Sequence, residues 1–135
     1  MTTTEGMDRR AAKQILIVDD DTGSRDALTD FLQDEGFTVA AVDGGDAALD
    51  YLRSAPPPQL IVLDLMMPGM DGWDFWHRQK RDPQVARIPV IAVSAAGKLV
   101  EAAESFRKPL DYDEFLRAVE KYVRPARPRR RGGEI

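Results

Sequence analysis

Four short apolar runs recur along the chain, at residues 15–18, 37–42, 60–63 and 88–93, and a brief fifth candidate strand follows at 105–107. Runs this short, bounded by turn residues, read as strands buried on both faces, the kind that parallel sheets contain. Between them the apolar positions change period. Ala27, Leu28, Phe31 and Leu32 have helical spacing with Gly36 as a stop signal, and Ala47, Ala48, Leu49, Tyr51 and Leu52 repeat the pattern ahead of Pro56-Pro57-Pro58. A third helix is expected from Trp73 to about Lys80, before Asp82-Pro83. A last one opens at Asp111, with Tyr112, Phe115, Leu116, Val119 and Tyr122 on its apolar face. The stretch from Ala95 to Glu104 is only weakly helical and is interrupted by Gly97. Strands and helices alternate, with connections that suit parallel pairing alone. The expected fold is α/β, a three-layer doubly wound five-stranded parallel sheet.

Several of these runs end in polar residues. The first leads into Asp19-Asp20-Asp21, the third into Asp64, the fourth into Ser94, and the fifth into Lys108-Pro109. In doubly wound sheets the carboxyl ends of the strands form the rim where ligands bind. Asp64 is therefore either the working group of a site or a solvated strand-end acid. The three adjacent carboxylates repel one another unless a cation or solvent compensates them. They read either as a solvated turn that caps a helix, a task Thr22 or Ser24 could also perform, or as a divalent-cation site. Collected on one edge, three carboxylates carry −3, which Mg²⁺ and the Lys108 ammonium together offset. Asp64 could then attack phosphorus in line, while Ser94 and Lys108 hold oxygens of the transferred group.

Composition narrows the alternatives. A chain of 135 residues fits one domain. Cysteine is absent, which excludes disulfides, thiolate metal sites and cysteine nucleophiles. No apolar run approaches the length of a membrane span or a secretory signal core, so a soluble, cytoplasmic protein is expected. Residues 1–123 carry 14 Lys/Arg against 22 Asp/Glu, whereas the last twelve carry five arginines against Glu134. An acidic body with a basic tail is not the footprint of a nucleic-acid-binding core. Residues 1–12 read as a disordered lead-in, 13–124 as the folded domain and 125–135 as a disordered, Arg-rich tail. Trp73 and Trp76 fit partial burial beside Phe75 in the core rather than a stacking site, and the single histidine, His77, fits a surface position.

The motifs Ile15-Leu16-Ile17-Val18-Asp19-Asp20-Asp21, Asp64-Leu65-Met66-Met67-Pro68-Gly69-Met70-Asp71-Gly72, Val93-Ser94-Ala95 and Lys108-Pro109 occur in that order, each at a strand end. Together they make residues 13–124 similar to a response-regulator receiver domain of two-component signalling, of the stand-alone type. The resemblance implies a flavodoxin-like strand order 2-1-3-4-5. It implies Asp64 as phosphoacceptor, taking its phosphoryl group from a histidine kinase or phosphotransfer protein. Mg²⁺ would be ligated by Asp20, Asp64 and the backbone carbonyl of Met66, with Asp19 acting mainly through water. Ser94 would be the switch hydroxyl, Lys108 would pair with the phosphate, and the Lys108-Pro109 bond would be cis. Such a protein is a phosphorylation-dependent switch rather than an enzyme with a separate substrate, and it signals through a downstream protein, with nucleic acid an unfavoured partner.

Two departures from the family pattern stand out. Lys108 comes only 14 positions after Ser94, fewer than a full helix and loop need, so a shortened or irregular fourth helix is expected. Ser105 occupies the place where the family often has a switching aromatic residue, and Phe106 faces the other way in a strand. Met66 and Ala96, two positions past Asp64 and Ser94, are apolar and cannot orient a hydrolytic water, which predicts slow loss of the phosphoryl group. Two other readings compete. One is a pseudo-receiver that docks partners without phosphorylation. The other is a metal-dependent phosphatase, disfavoured because it needs a second Asp where this chain has Met66.

Overall fold

The computed structural model describes residues 13–65, 67, 72–95 and 102–130. The elements in chain order are β1 (Ile15–Val18), α1 (Thr22–Asp34), β2 (Val39–Val42), α2 (Gly45–Ser54), β3 (Leu60–Asp64), α3 (Gly72–Arg81), β4 (Val90–Ser94), β5 (Glu104–Arg107) and α4 (Tyr112–Glu120). All strand pairs are parallel, and the sheet order is β2-β1-β3-β4-β5, the doubly wound flavodoxin-like arrangement that the resemblance implied.

Because successive side chains of a strand point to opposite faces, each apolar run feeds two cores. Ile15, Ile17, Val62, Ile91 and Val93 pack with Leu28 and Leu32 of α1 and Phe115, Ala118 and Val119 of α4. Leu16, Val18, Ile61, Leu63 and Ala92 pack with Ala48 and Leu52 of α2 and Phe75 of α3. The central strands β1, β3 and β4 are buried along their whole length. Phe75 is fully buried, Trp73 and Trp76 only partly so, and His77 is exposed, its ring centroid 5.2 Å from that of Trp76. Among the described residues no helix is long and apolar enough to cross a membrane.

Element ends follow local hydrogen bonding. β2 starts at Val39 rather than at residue 37, because the Phe37 amide closes the end of α1 on the Leu32 carbonyl. Thr38 and Gln14 then exchange bonds, Thr38 N donating to Gln14 Oε1 and Gln14 N to Thr38 Oγ1. Asp111 caps α4, accepting from the amides of Asp113 and Glu114 as expected. Among the described residues four helices are present, none of them between β4 and β5; residues 96–101 of that connection and the lead-in 1–12 lie outside the described residues. The tail departs from expectation. Residues 125–130 are not a free end but lie against the last turn of α1, with the amides of Ala126 and Arg127 bonded to the Gly36 carbonyl.

Candidate functional site

The register of the sheet assembles the site. Val18 pairs with Leu63, so Asp19, one step further on, comes level with Asp64 at the end of β3. Asp64 pairs with Val93, which sets Ser94 one step beyond it at the end of β4. Asp19, Asp64 and Ser94 are 1%, 5% and 1% exposed, while Asp20 faces solvent. Asp19, Asp20 and Asp64 each offer a carboxylate oxygen, and these oxygens lie within 4.8 Å of one another. Burying two of the three would be unfavourable without a nearby cation. Lys108 supplies one. Its Nζ lies 3.2 Å from Asp19 Oδ2 and 3.8 Å from Asp64 Oδ2.

The backbone fixes Lys108 as firmly as its charge does. Its amide donates to the Ser94 carbonyl at 2.9 Å, carrying the ladder past the end of β5, and the Lys108-Pro109 peptide is cis, as the resemblance implied. The three adjacent acids divide their labour. Asp21 is the N-cap of α1, accepting from the Ser24 amide at 2.7 Å. Asp19 turns inward, and its Oδ1 accepts from the Asp21 amide at 2.9 Å. Asp20 projects outward into solvent. Both sequence alternatives, helix cap and acidic cluster, are therefore realised, by different residues.

One contributor was missed. The sequence marks Ser24 only as a possible cap, yet its hydroxyl donates to Asp19 Oδ2 at 2.8 Å and its Oγ accepts from Lys108 Nζ at 3.1 Å. A hydroxyl one helical turn into α1 has no local signature that sets it apart from an N-terminal serine. Arg25 adds a further hold, donating from Nη1 to the Asp19 carbonyl at 2.8 Å. Gly72, the first residue of α3, backs the site from below. A Cβ there would come within 2.5 Å of the Asp64 carbonyl oxygen and of Leu65 Cα, so only glycine lets α3 start this close to β3. The Met66 carbonyl, expected as a further oxygen ligand, lies outside the described residues.

Chemically, the cluster is a set of hard oxygen donors with one fixed ammonium, open to solvent on the Asp20 side. Such a set suits a divalent cation of the Mg²⁺ type. It holds no histidine or thiol that would favour a softer metal.

Comparison with known proteins agrees with this architecture. Residues 15–120 match the model of the response regulator receiver domain. A two-component response regulator of Oryza sativa subsp. japonica is 31% identical over 129 residues, spanning 90% of this chain and 96% of its own. Sporulation initiation phosphotransferase F of Bacillus subtilis is 37% identical over 119 residues, spanning 82% and 94%. Among solved structures, a response regulator receiver protein from Pseudomonas putida aligns with a TM-score of 0.75 at 27% identity, covering 82% of this chain and 98% of that one. A Thermotoga maritima response regulator solved in complex with Mg²⁺ and BeF aligns with a TM-score of 0.73 at 27% identity, covering 82% and 99%. With its fold, its strand-end acids and these relatives in agreement, the chain belongs to the response regulator receiver domains, the phosphotransfer modules of two-component signalling.

Proposed function

We propose that this domain accepts a phosphoryl group from a histidine kinase or phosphotransfer protein onto a carboxylate oxygen of Asp64, with Mg²⁺ bound beside it, and passes the signal to a partner protein. The observation that carries this reading is the meeting of the Asp19, Asp20 and Asp64 carboxylates within 4.8 Å, beside Lys108. Both oxygens of Asp19 already accept hydrogen bonds from this chain. Asp20 and Asp64 are then the better direct ligands, and Asp19 acts through water. Asp20, Asp64 and, as the resemblance implies, the Met66 carbonyl would hold Mg²⁺, which would supply neutralising charge for the transferring oxygens.

The rest of the chemistry belongs to the chain. An Asp64 oxygen attacks phosphorus in line, the new O–P bond forms as the P–N bond of the phosphohistidine breaks, and the departing imidazole is protonated from solvent. Lys108, shared between Asp19 and Asp64, pairs with a phosphate oxygen, and the Ser94 hydroxyl binds another. No separate substrate is turned over. Beside the site, a depression of about 190 Å³ is lined by Ser24, Leu28, Lys108, Pro109, Leu110 and Tyr112. It offers a seat for the donor protein, and Tyr112 is the large apolar residue left exposed there, at 39%. The slow loss of the phosphoryl group expected from Met66 and Ala96 belongs to the same proposal.

Intact mass after incubation with Mg²⁺ and acetyl phosphate tests the reading, with Asp64→Asn as control. The expected result is a gain of one phosphoryl group in the wild type and none in the variant. No gain, with acetyl phosphate or with a phosphohistidine donor, would leave a docking module that works without phosphorylation.

A further inference from the structure

The other end of α1 carries a second buried carboxylate, distant from the strand-end site. Glu35, the residue that closes the helix, is only 3% exposed. Charge in such a place is unfavourable unless it is paired. Arg129 lies across it, with Nε 2.8 Å from Oε1, a close ion pair whose N–H is not aligned as a hydrogen bond would require. The main chain of the same segment is tied down independently. The amides of Ala126 and Arg127 donate to the Gly36 carbonyl at 2.9 and 3.0 Å, and the Arg130 amide donates to the Asp34 carbonyl at 2.6 Å. Such carbonyls at a helix end have no partner within the helix. Gly36 sits at φ +98, and any Cβ on it would collide with the Arg127 carbonyl. The Arg130 guanidinium stands 3.9 Å from the Asp34 carboxylate.

We infer that Asp34, Glu35 and Gly36 form a docking surface whose occupant is the chain's own segment 125–130. The folded unit then extends past residue 120, where the receiver match stops. Arg129 and Arg130 serve as an intramolecular clamp on α1 rather than as a nucleic-acid-binding arm. The composition of the tail suggested a free end; its contacts give it a fixed place.

The test uses the full chain. Hydrogen exchange at the amides of Ala126, Arg127 and Arg130 is expected to be at least about tenfold slower than in a free peptide. Arg129→Ala and Glu35→Gln are each expected to lower the melting temperature by about 5 °C, and the double variant by little more than either alone. Exchange at free-peptide rates, or strictly additive losses, would overturn the clamp. So would a DNA duplex that binds the wild-type chain at physiological salt and removes the protection from these amides, since the arginines would then belong to nucleic acid.

Discussion

The two ends of α1 each bury a carboxylate, and each draws its cation from far along the chain. At the N-terminal end Asp19 is held by Lys108, Ser24 and the Asp21 amide; at the C-terminal end Glu35 is held by Arg129. The difference lies in the charge balance. Among the described residues the Arg129 guanidinium meets the buried Glu35 carboxylate charge for charge. Among the described residues one ammonium meets three carboxylates at the strand ends, and the excess of negative charge suits the divalent ion of the proposed phosphoryl transfer. Similar chemistry makes a brace at one end of the helix and a receptive site at the other.

The comparison can be broken most forcefully at Lys108. Lys108→Ala removes the ammonium that faces the buried Asp19 and Asp64 carboxylates and is expected to cost about 3 kcal/mol. Mg²⁺ at a hundredfold its dissociation constant should return about 2.7 kcal/mol. Thermal melts with and without the ion check both figures. A variant as stable as wild type without Mg²⁺ would mean that Ser24 and the Asp21 amide suffice for Asp19.

The glycines at the two ends give the next test. Gly72→Ala forces a Cβ onto the Asp64 and Leu65 backbone and is expected to cost about 2 kcal/mol, displacing Asp64, the proposed phosphoacceptor, as well. Gly36→Ala strains a left-handed residue under the clamp and should cost about 1.5 kcal/mol while leaving phosphoryl uptake at Asp64 intact. Denaturant titration gives the stabilities and the mass measurement gives the uptake. Equal loss of uptake in both variants would erase the distinction between brace and site.

The smallest effect is expected from a pair that neither end buries. Glu104, 2.9 Å from the exposed Lys121, raises that ammonium above its ordinary value of 10.5. The raised value sets the sign. The contribution is complete below the ordinary value and is lost as the pH climbs through the higher folded one. The melting-temperature difference between wild type and Glu104→Gln should therefore be small near neutrality and vanish in strong alkali. A difference that grows with pH would contradict the assignment.

Much of the fold was legible because its signals are local. Strand ends at Asp19, Asp64 and Ser94, the cap at Asp111 and the burial of Phe75 follow from short apolar runs and turn residues that a few neighbours decide. The tail was not legible in this way. Arg129 and Glu35 are far apart in sequence, and a run of Pro, Arg and Gly has the composition of a free end whatever it touches. Ser24 escaped for a related reason: its partners Asp19 and Lys108 meet only once β1 and β5 share a sheet. The start of β2 shifted by two residues because Phe37 and Thr38, apolar and β-prone as they are, spend their amides on the end of α1 and on Gln14.

The pairing of Val18 with Leu63 has a consequence for how such a domain can vary. Because β1 and β3 are neighbours in one ladder, the gap between their acids is gauged by the strand repeat, about 4.8 Å. The connections between strands do not enter that measurement. The 13 residues between Ser94 and Lys108 could be lengthened, trimmed or rewritten, and the acidic pair would keep its separation as long as the rungs beneath it hold. Rate, lifetime and choice of partner are then free to be tuned in the connections, over a frame that the backbone alone keeps in gauge.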